Sequence, residues 1–230
     1  MADPVEIVQK MDNLAKAWEE KSDKRAFFLR CYCMMSENMF RALDEKRFID
    51  NQWVETLLLT FADYYFDALA CFDCGESVPK VWQVAHEAAA QKKLHVLQHL
   101  FLGINAHINY DLVLTLHDLL REEWETLSDE GQKIRYHDHS MVNTIIKETI
   151  DQVQDEVIEV QNPWMDFIDK AMGRLDEKLF TGLISSWRKE VWDHSLLLIH
   201  CKSEQEKTHL INQLEEEVLK KANWIQLEVS

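Results

Sequence analysis

The sequence predicts an all-α protein, a single globular bundle of about eight helices around a buried central helix, and three observations carry that expectation. Glycine (5) and proline (3) are scarce in 230 residues while apolar residues make up 47 %, the composition of packed helices with short connections. Every long segment repeats its apolar residues at three- and four-residue intervals. No segment shows the alternation of a half-buried strand bounded by turn residues.

The elements follow in order. A first helix, about Val5 to Lys21, carries Val8, Met11, Ala15 and Trp18 on one face, and Asp23 can cap a second through Phe27, Phe28, Met34 and Phe40. Asp50 caps a third, Gln52 to about Phe72. It is apolar nearly all round, from Trp53 through Leu57, Phe61 and Tyr65 to Leu69, which marks the buried centre. Gly75 permits the turn that follows, and Pro79 suits the first turn of the next helix. From Pro79 to about Glu123 only Gly103 interrupts the pattern, and ordinary helix lengths divide this stretch into two near Lys92 to Leu94. Ser128 to Arg135, polar and containing Gly131, reads as a loop. Helices then run from about Ser140 to Val160, closed by Asn162-Pro163, from Trp164 to Arg174, from Asp176 to Cys201 and from Glu204 to Trp224. With no linker in sight, one domain spans 1–230.

Charge excludes some partners. Lys+Arg of 25 against Asp+Glu of 41 gives 25 − 41 = −16, a field that repels nucleic acid and anionic membrane surfaces. No window approaches about 18 consecutive apolar residues, so no membrane insertion is expected. The N-terminal Met-Ala-Asp-Pro-Val-Glu lacks the basic start and apolar run of a secretion signal. Five cysteines, an odd number, fit free thiols in a reducing compartment and a cytoplasmic location. Cys31 and Cys33, two apart on a helix, point to opposite sides and cannot chelate together with Cys71 and Cys74.

Three polar islands fall on apolar helix faces. In the first, His107 and Asp111 lie four residues apart, hence about 40° apart on one face, and can meet one ligand or each other. Gly103 on that face leaves room for a backbone or a ligand to approach closely, and His99 lies on the same side. In the second, Asp138 and His139 project over the core side of the helix bearing Val142, Ile145, Ile146 and Thr149, with Asn143 at its edge. They are candidate metal ligands or helix-start caps. In the third, His194 falls within the stripe Phe180, Ile184, Trp187, Val191 and Leu198, with Arg188 at its border. Asp63 and Asp67, in the all-apolar third helix, would need a proton, a cation or a metal if buried. Convergence of these groups would make a mixed nitrogen and oxygen centre able to acidify a bound water. No Glu-x-x-His pair supports a carboxylate-bridged di-iron site.

The stretch Leu102-Gly103-Ile104-Asn105-Ala106-His107-Ile108-Asn109-Tyr110-Asp111-Leu112, followed by Asp138, Val142-Asn143, Arg188 and Trp192, resembles the family catalogued as domain of unknown function 5995. The resemblance extends from about Trp53 to Leu198 and brings no established activity. It implies that His107, Asp111, Asp138 and Asn143 match family-defining positions, whereas His139 and His194 stand on spacing alone. A looser likeness links the His-x3-Asp to the helical zinc phospholipase C and nuclease group. The chain departs from that group in having Met1 where the group places an N-terminal Trp ligand, and in lacking a second His-x3-Asp/Glu ladder.

The function expected first is a metal-dependent enzyme, a hydrolase acting on a small or lipid-like substrate. Its divalent ion (zinc, iron or manganese) would be held by His107, Asp111, Asp138 and either His139 or His194. Asn143 and Arg188 would join His107 and Asp111 in catalysis, while Asn105, Asn109, Tyr110 and Trp192 would meet substrate. The alternatives are a binding module for an apolar or aromatic small molecule, a metal-free enzyme with His107 as general base, and a helical domain in which the islands only specify packing. A small-molecule partner is common to the first three, and a homo-oligomer is compatible with all.

Overall fold

Short polar side chains that satisfy free backbone amides set several of the helix starts. The computed structural model describes residues 3–91, 93–156 and 177–227, and helices dominate it. Asp3 accepts from Val5 N–H at 2.9 Å and opens α1 (Pro4–Glu20). In the turn before α2 (Ala26–Asp44), Asp23 accepts from Arg25 N–H at 3.0 Å. Asp50 accepts from Trp53 N–H at 3.0 Å and starts α3 (Asn51–Cys74), which Gly75 closes in the left-handed conformation with φ 72°. After Pro79 comes α4 (Lys80–Ala88), and His95 caps α5 (Val96–Ala106) by accepting from Leu97 N–H at 3.3 Å.

Between α5 and α6 (Leu112–Leu120) the helix continues through a single π turn, His107–Asp111, in which Leu112 N–H reaches back five residues to His107 C=O. Single π turns inside helices recur at functional sites. A short 3₁₀ turn, Trp124–Thr126, leads to α7 (Asp129–Glu156); α8 (Glu177–Ile199) and α9 (Glu204–Gln226) are the last helices among the described residues.

The segment Ser128 to Arg135, expected as a loop, is the first two turns of α7. Ser128 Oγ accepts from Gly131 N–H at 3.2 Å, Asp129 and Glu130 sit at the positive end of the helix dipole, and Arg135 forks onto Glu123 at 2.9 and 3.0 Å. Polarity there marks an exposed helix start. Tyr136 to Asn143 therefore lies inside a helix. The expected short helix Trp164 to Arg174 and the stop at Asn162-Pro163 fall outside the described residues.

The core runs along α3, whose Trp53, Val54, Leu57, Leu59, Tyr65 and Leu69 are buried, but Asp63 and Asp67 are exposed, so the central helix keeps one wet edge and those carboxylates pose no burial problem. On α1 the buried stripe is Ile7, Met11, Ala15 and Trp18. α6 packs against α3 and α8, and α2 against α1, α5 and α7. Phe28 of α2 lies on Gly103: a Cβ there would stand 2.4 Å from Phe28 Cγ, so the space left by glycine belongs to an aromatic ring and not to a ligand or backbone. No helix among the described residues is long and apolar enough to cross a membrane, and all five cysteines are free.

Candidate functional site

The π turn brings His107 and Asp111 into contact. His107 Nδ1 lies 2.9 Å from Asp111 Oδ2, and both residues are essentially sealed from solvent, at 2 % and 1 % exposure. From α4, Trp82 Nε1–H donates to Asp111 Oδ1 at 3.0 Å and to Oδ2 at 2.9 Å. The imidazole lies parallel to Phe61 with ring centroids 3.6 Å apart, and Tyr32 and Phe28 meet it edge-on at 4.4 and 5.7 Å. Burial holds the His107 imidazole well below its usual range and pushes the Asp111 carboxyl well above its own, the latter opposed by the Trp82 hydrogen bond. Burial disfavours charge on both partners. In the state that leaves the pair uncharged, with a proton between Asp111 and Nδ1, the other ring nitrogen, Nε2, bears hydrogen and is a donor. Nε2 is buried and, among the described residues, has no hydrogen-bond partner.

His107 forms part of the wall of an apolar cavity of about 110 Å³ between α2, α3, the π turn, α7 and α8. Tyr32, Met35, Leu57, Phe61, Ile146 and Ile184 line it, and Ser36 adds a hydroxyl. Arg188 of α8 lines it too. Its Nη2 donates to His139 C=O at 2.7 Å and lies 3.3 Å from His139 Nδ1, while His139 Nε2 lies 3.0 Å from Arg188 C=O. One protonation state satisfies all three contacts: a neutral His139 with hydrogen on Nε2, donating to the carbonyl, and a lone pair on Nδ1, accepting from Arg188. Burial, and then the Arg188 charge, hold His139 well below its usual range and keep it neutral. Both of its ring nitrogens are thereby committed. Arg188 is 4 % exposed, and its Nε is buried without a partner among the described residues.

The other residues singled out in the sequence are held in separate places. Asp138, fully buried, accepts from Ile49 N–H at 2.9 Å and from Asp50 N–H at 2.8 Å, and so ties α7 to the start of α3. It is a backbone clamp. Asn105 Nδ2 donates to Val218 C=O at 3.0 Å, Asn109 Nδ2 to Asn105 Oδ1 at 3.0 Å, and Lys221 Nζ to Asn109 Oδ1 at 3.0 Å, a chain that fastens the π turn to α9. His194 is one-third exposed and lies 3.6 Å from Glu217. Tyr110 and Trp192 are buried away from the cavity wall, Trp192 among Trp124, Tyr136 and His139, and Asn143 leaves its Oδ1 buried and unpaired. Among the described residues no three His, Cys, Asp or Glu side chains come together in a group able to hold an ion. The set His107, Asp111, Asp138 and His139 or His194 is thus not assembled, because Asp138, His139 and His194 each have their own partners.

Residues 5–227 match the family described as Family of unknown function (DUF5995). The chain belongs to DUF5995. The match is wider than the Trp53 to Leu198 span suggested by the resemblance, and takes in α1, α2 and α9. No curated protein and no solved structure matches this chain. In this DUF5995 chain the residues that sequence reasoning missed are those that surround His107, namely Trp82, Phe61, Tyr32 and Ser36, together with Arg135, which joins Glu123 to Asp50. The aromatic groups read as ordinary core in a helical pattern. Only the inward polar residue beside them distinguished the site.

Proposed function

We propose that the protein binds a small, mostly apolar molecule that carries a hydrogen-bond acceptor, in the cavity walled by His107. The supporting observation is the buried, unpartnered Nε2 of a histidine whose other nitrogen is fixed by Asp111 and, through it, by Trp82. Leaving such a donor unpaired costs about 1–3 kcal/mol, which a ligand acceptor would recover. The volume of about 110 Å³ is of the order of the ~150 Å³ apolar cavity that takes benzene, so a short alkyl chain or a small ring fits. The free cysteines fit a reducing compartment, and a cytoplasmic location is part of this reading.

Titration calorimetry with 1-pentanol and cyclopentanone tests the proposal. Binding by the native protein and its loss in Ile146→Trp, which fills the cavity, are expected. Absence of binding by the native protein would refute it.

A second reading rests on the same geometry, since a histidine oriented by a carboxylate with the opposite nitrogen free is also the arrangement of a general acid or base. His107→Gln separates the two: a binding module keeps most of its affinity, whereas an enzyme loses turnover while still binding. A zinc, iron or manganese hydrolase has less support, because Asp111 already serves Trp82 and His107 and the remaining ligands are placed elsewhere.

A further inference from the structure

We infer that the ligand is a small monocarboxylate, its apolar body in the cavity and its carboxylate on the guanidinium of Arg188. The inference deepens the reading above and rests on it. Arg188 is 4 % exposed, it lines the same apolar cavity as His107, and its Nε is buried without a partner. Among the described residues its side chain bonds only to neutral groups, the carbonyl and Nδ1 of His139. Among the described residues no carboxylate pairs with it. A buried cation is ordinarily compensated by an acid, because desolvating an isolated charge is costly. Other arginines in the molecule follow that rule: Arg25 with Asp23 and Asp73, Arg30 with Asp12 and Glu19, and Arg135 with Asp50 and Glu123. Arg188 stands apart from them.

Burial pushes its value down to about 9, which leaves the side chain cationic at neutral pH. His107 and Arg188 both line the cavity, and each carries a buried polar atom without a partner among the described residues, Nε2 and Nε; the guanidinium can only donate, so the Arg188 side of the cavity asks for an acceptor. A carboxylate supplies two oxygens and one negative charge, the count that one guanidinium neutralises; a phosphate would bring a second charge into an apolar space. His139 acts as a positioning residue: its carbonyl and Nδ1 hold Nη2 and leave the rest of the fork for the ligand.

Calorimetric titration at pH 7 with sodium pentanoate and with 1-pentanol, two probes alike in their apolar body, tests the inference. The native protein is expected to bind pentanoate roughly tenfold or more tightly than pentanol, the scale of a charge-assisted pair in a desolvated site. Arg188→Gln should abolish that preference while pentanol still binds. If pentanol binds the native protein as well as pentanoate does, the inference is overturned and the apolar-ligand reading stands. If neither probe binds, both fall. The comparison on the native protein decides the matter even if Arg188→Gln does not fold.

Discussion

Trp82 gives its one indole N–H to both carboxylate oxygens of Asp111, at 3.0 and 2.9 Å, in a setting where neither residue is more than 1 % exposed. That contact holds the carboxyl that also meets His107 and makes α4 a structural part of a site built on the π turn. Trp82→Phe keeps most of the packing and removes the donor. A loss of about 1–3 kcal/mol in denaturant unfolding is expected, with weaker ligand binding than the loss of stability alone explains. Unchanged stability would mean that Asp111 does not depend on the indole.

Asp138 is expected to matter for folding and not for an ion. Asp138→Ala strands the amides of Ile49 and Asp50, and should cost about 1–3 kcal/mol to the same extent in chelator as in zinc-supplemented buffer. A loss confined to the metal-containing buffer would restore this carboxylate to a metal site.

Gly103→Ala should destabilise although alanine favours helices by about 1 kcal/mol over glycine. The new Cβ would meet Phe28 Cγ at 2.4 Å and Cβ at 2.7 Å, atoms near the base of that side chain which cannot swing aside, and overpacking of this kind costs about 1–3 kcal/mol. Combining it with Phe28→Ala, which removes Cγ and the ring, should cost less than the sum of the two single losses, as a double-mutant cycle in denaturant would record. A stabilising Gly103→Ala would show that α2 yields easily.

Stability should fall as the solution is acidified from neutrality. Burial, reinforced by the Arg25 charge, holds His86 at about 4, against roughly 6.5 in an unfolded chain. Between those values the unfolded chain takes up the proton and the folded one does not, so the contribution is full above about 6.5 and is lost progressively towards 4. Buried His139, also shifted down, acts in the same sense, whereas the raised Asp111 carboxyl opposes the downward shift of its partner His107. Thermal melts between pH 7.5 and 4.5 should show a falling midpoint, and His86→Gln should flatten the slope. A midpoint independent of pH across that interval would contradict the neutral burial of these rings.

Much of the fold was legible because it rests on local rules. The caps Asp50 and Gly75, the break before Val96 and the α8 stripe of Phe180, Ile184, Trp187 and Val191 all follow from spacing and turn chemistry. The contact of His107 with Asp111 was legible too, as one of two uses for a four-residue spacing, although the π turn that carries it was not. What escaped depends on partners far along the chain. Asp138 reads as an inward carboxylate, but its partners lie 88 and 89 residues away, and from its own segment a cap for another helix looks the same as a ligand. Arg188 projects to the border of its stripe and His194 into it. The structure exchanges them, because His139 of α7 offers Arg188 a carbonyl inside while His194 turns toward Glu217 at the surface.

The central claim is that His107 Nε2 is a buried donor waiting for a ligand acceptor. Imidazole ¹⁵N spectra of the protein titrated with sodium pentanoate address it most directly. The expected result is a protonated Nε2 in the free protein whose resonance moves on saturation while that of His86 stays put. A free-protein Nε2 without hydrogen, or one that pentanoate leaves unmoved while it binds, would contradict the claim.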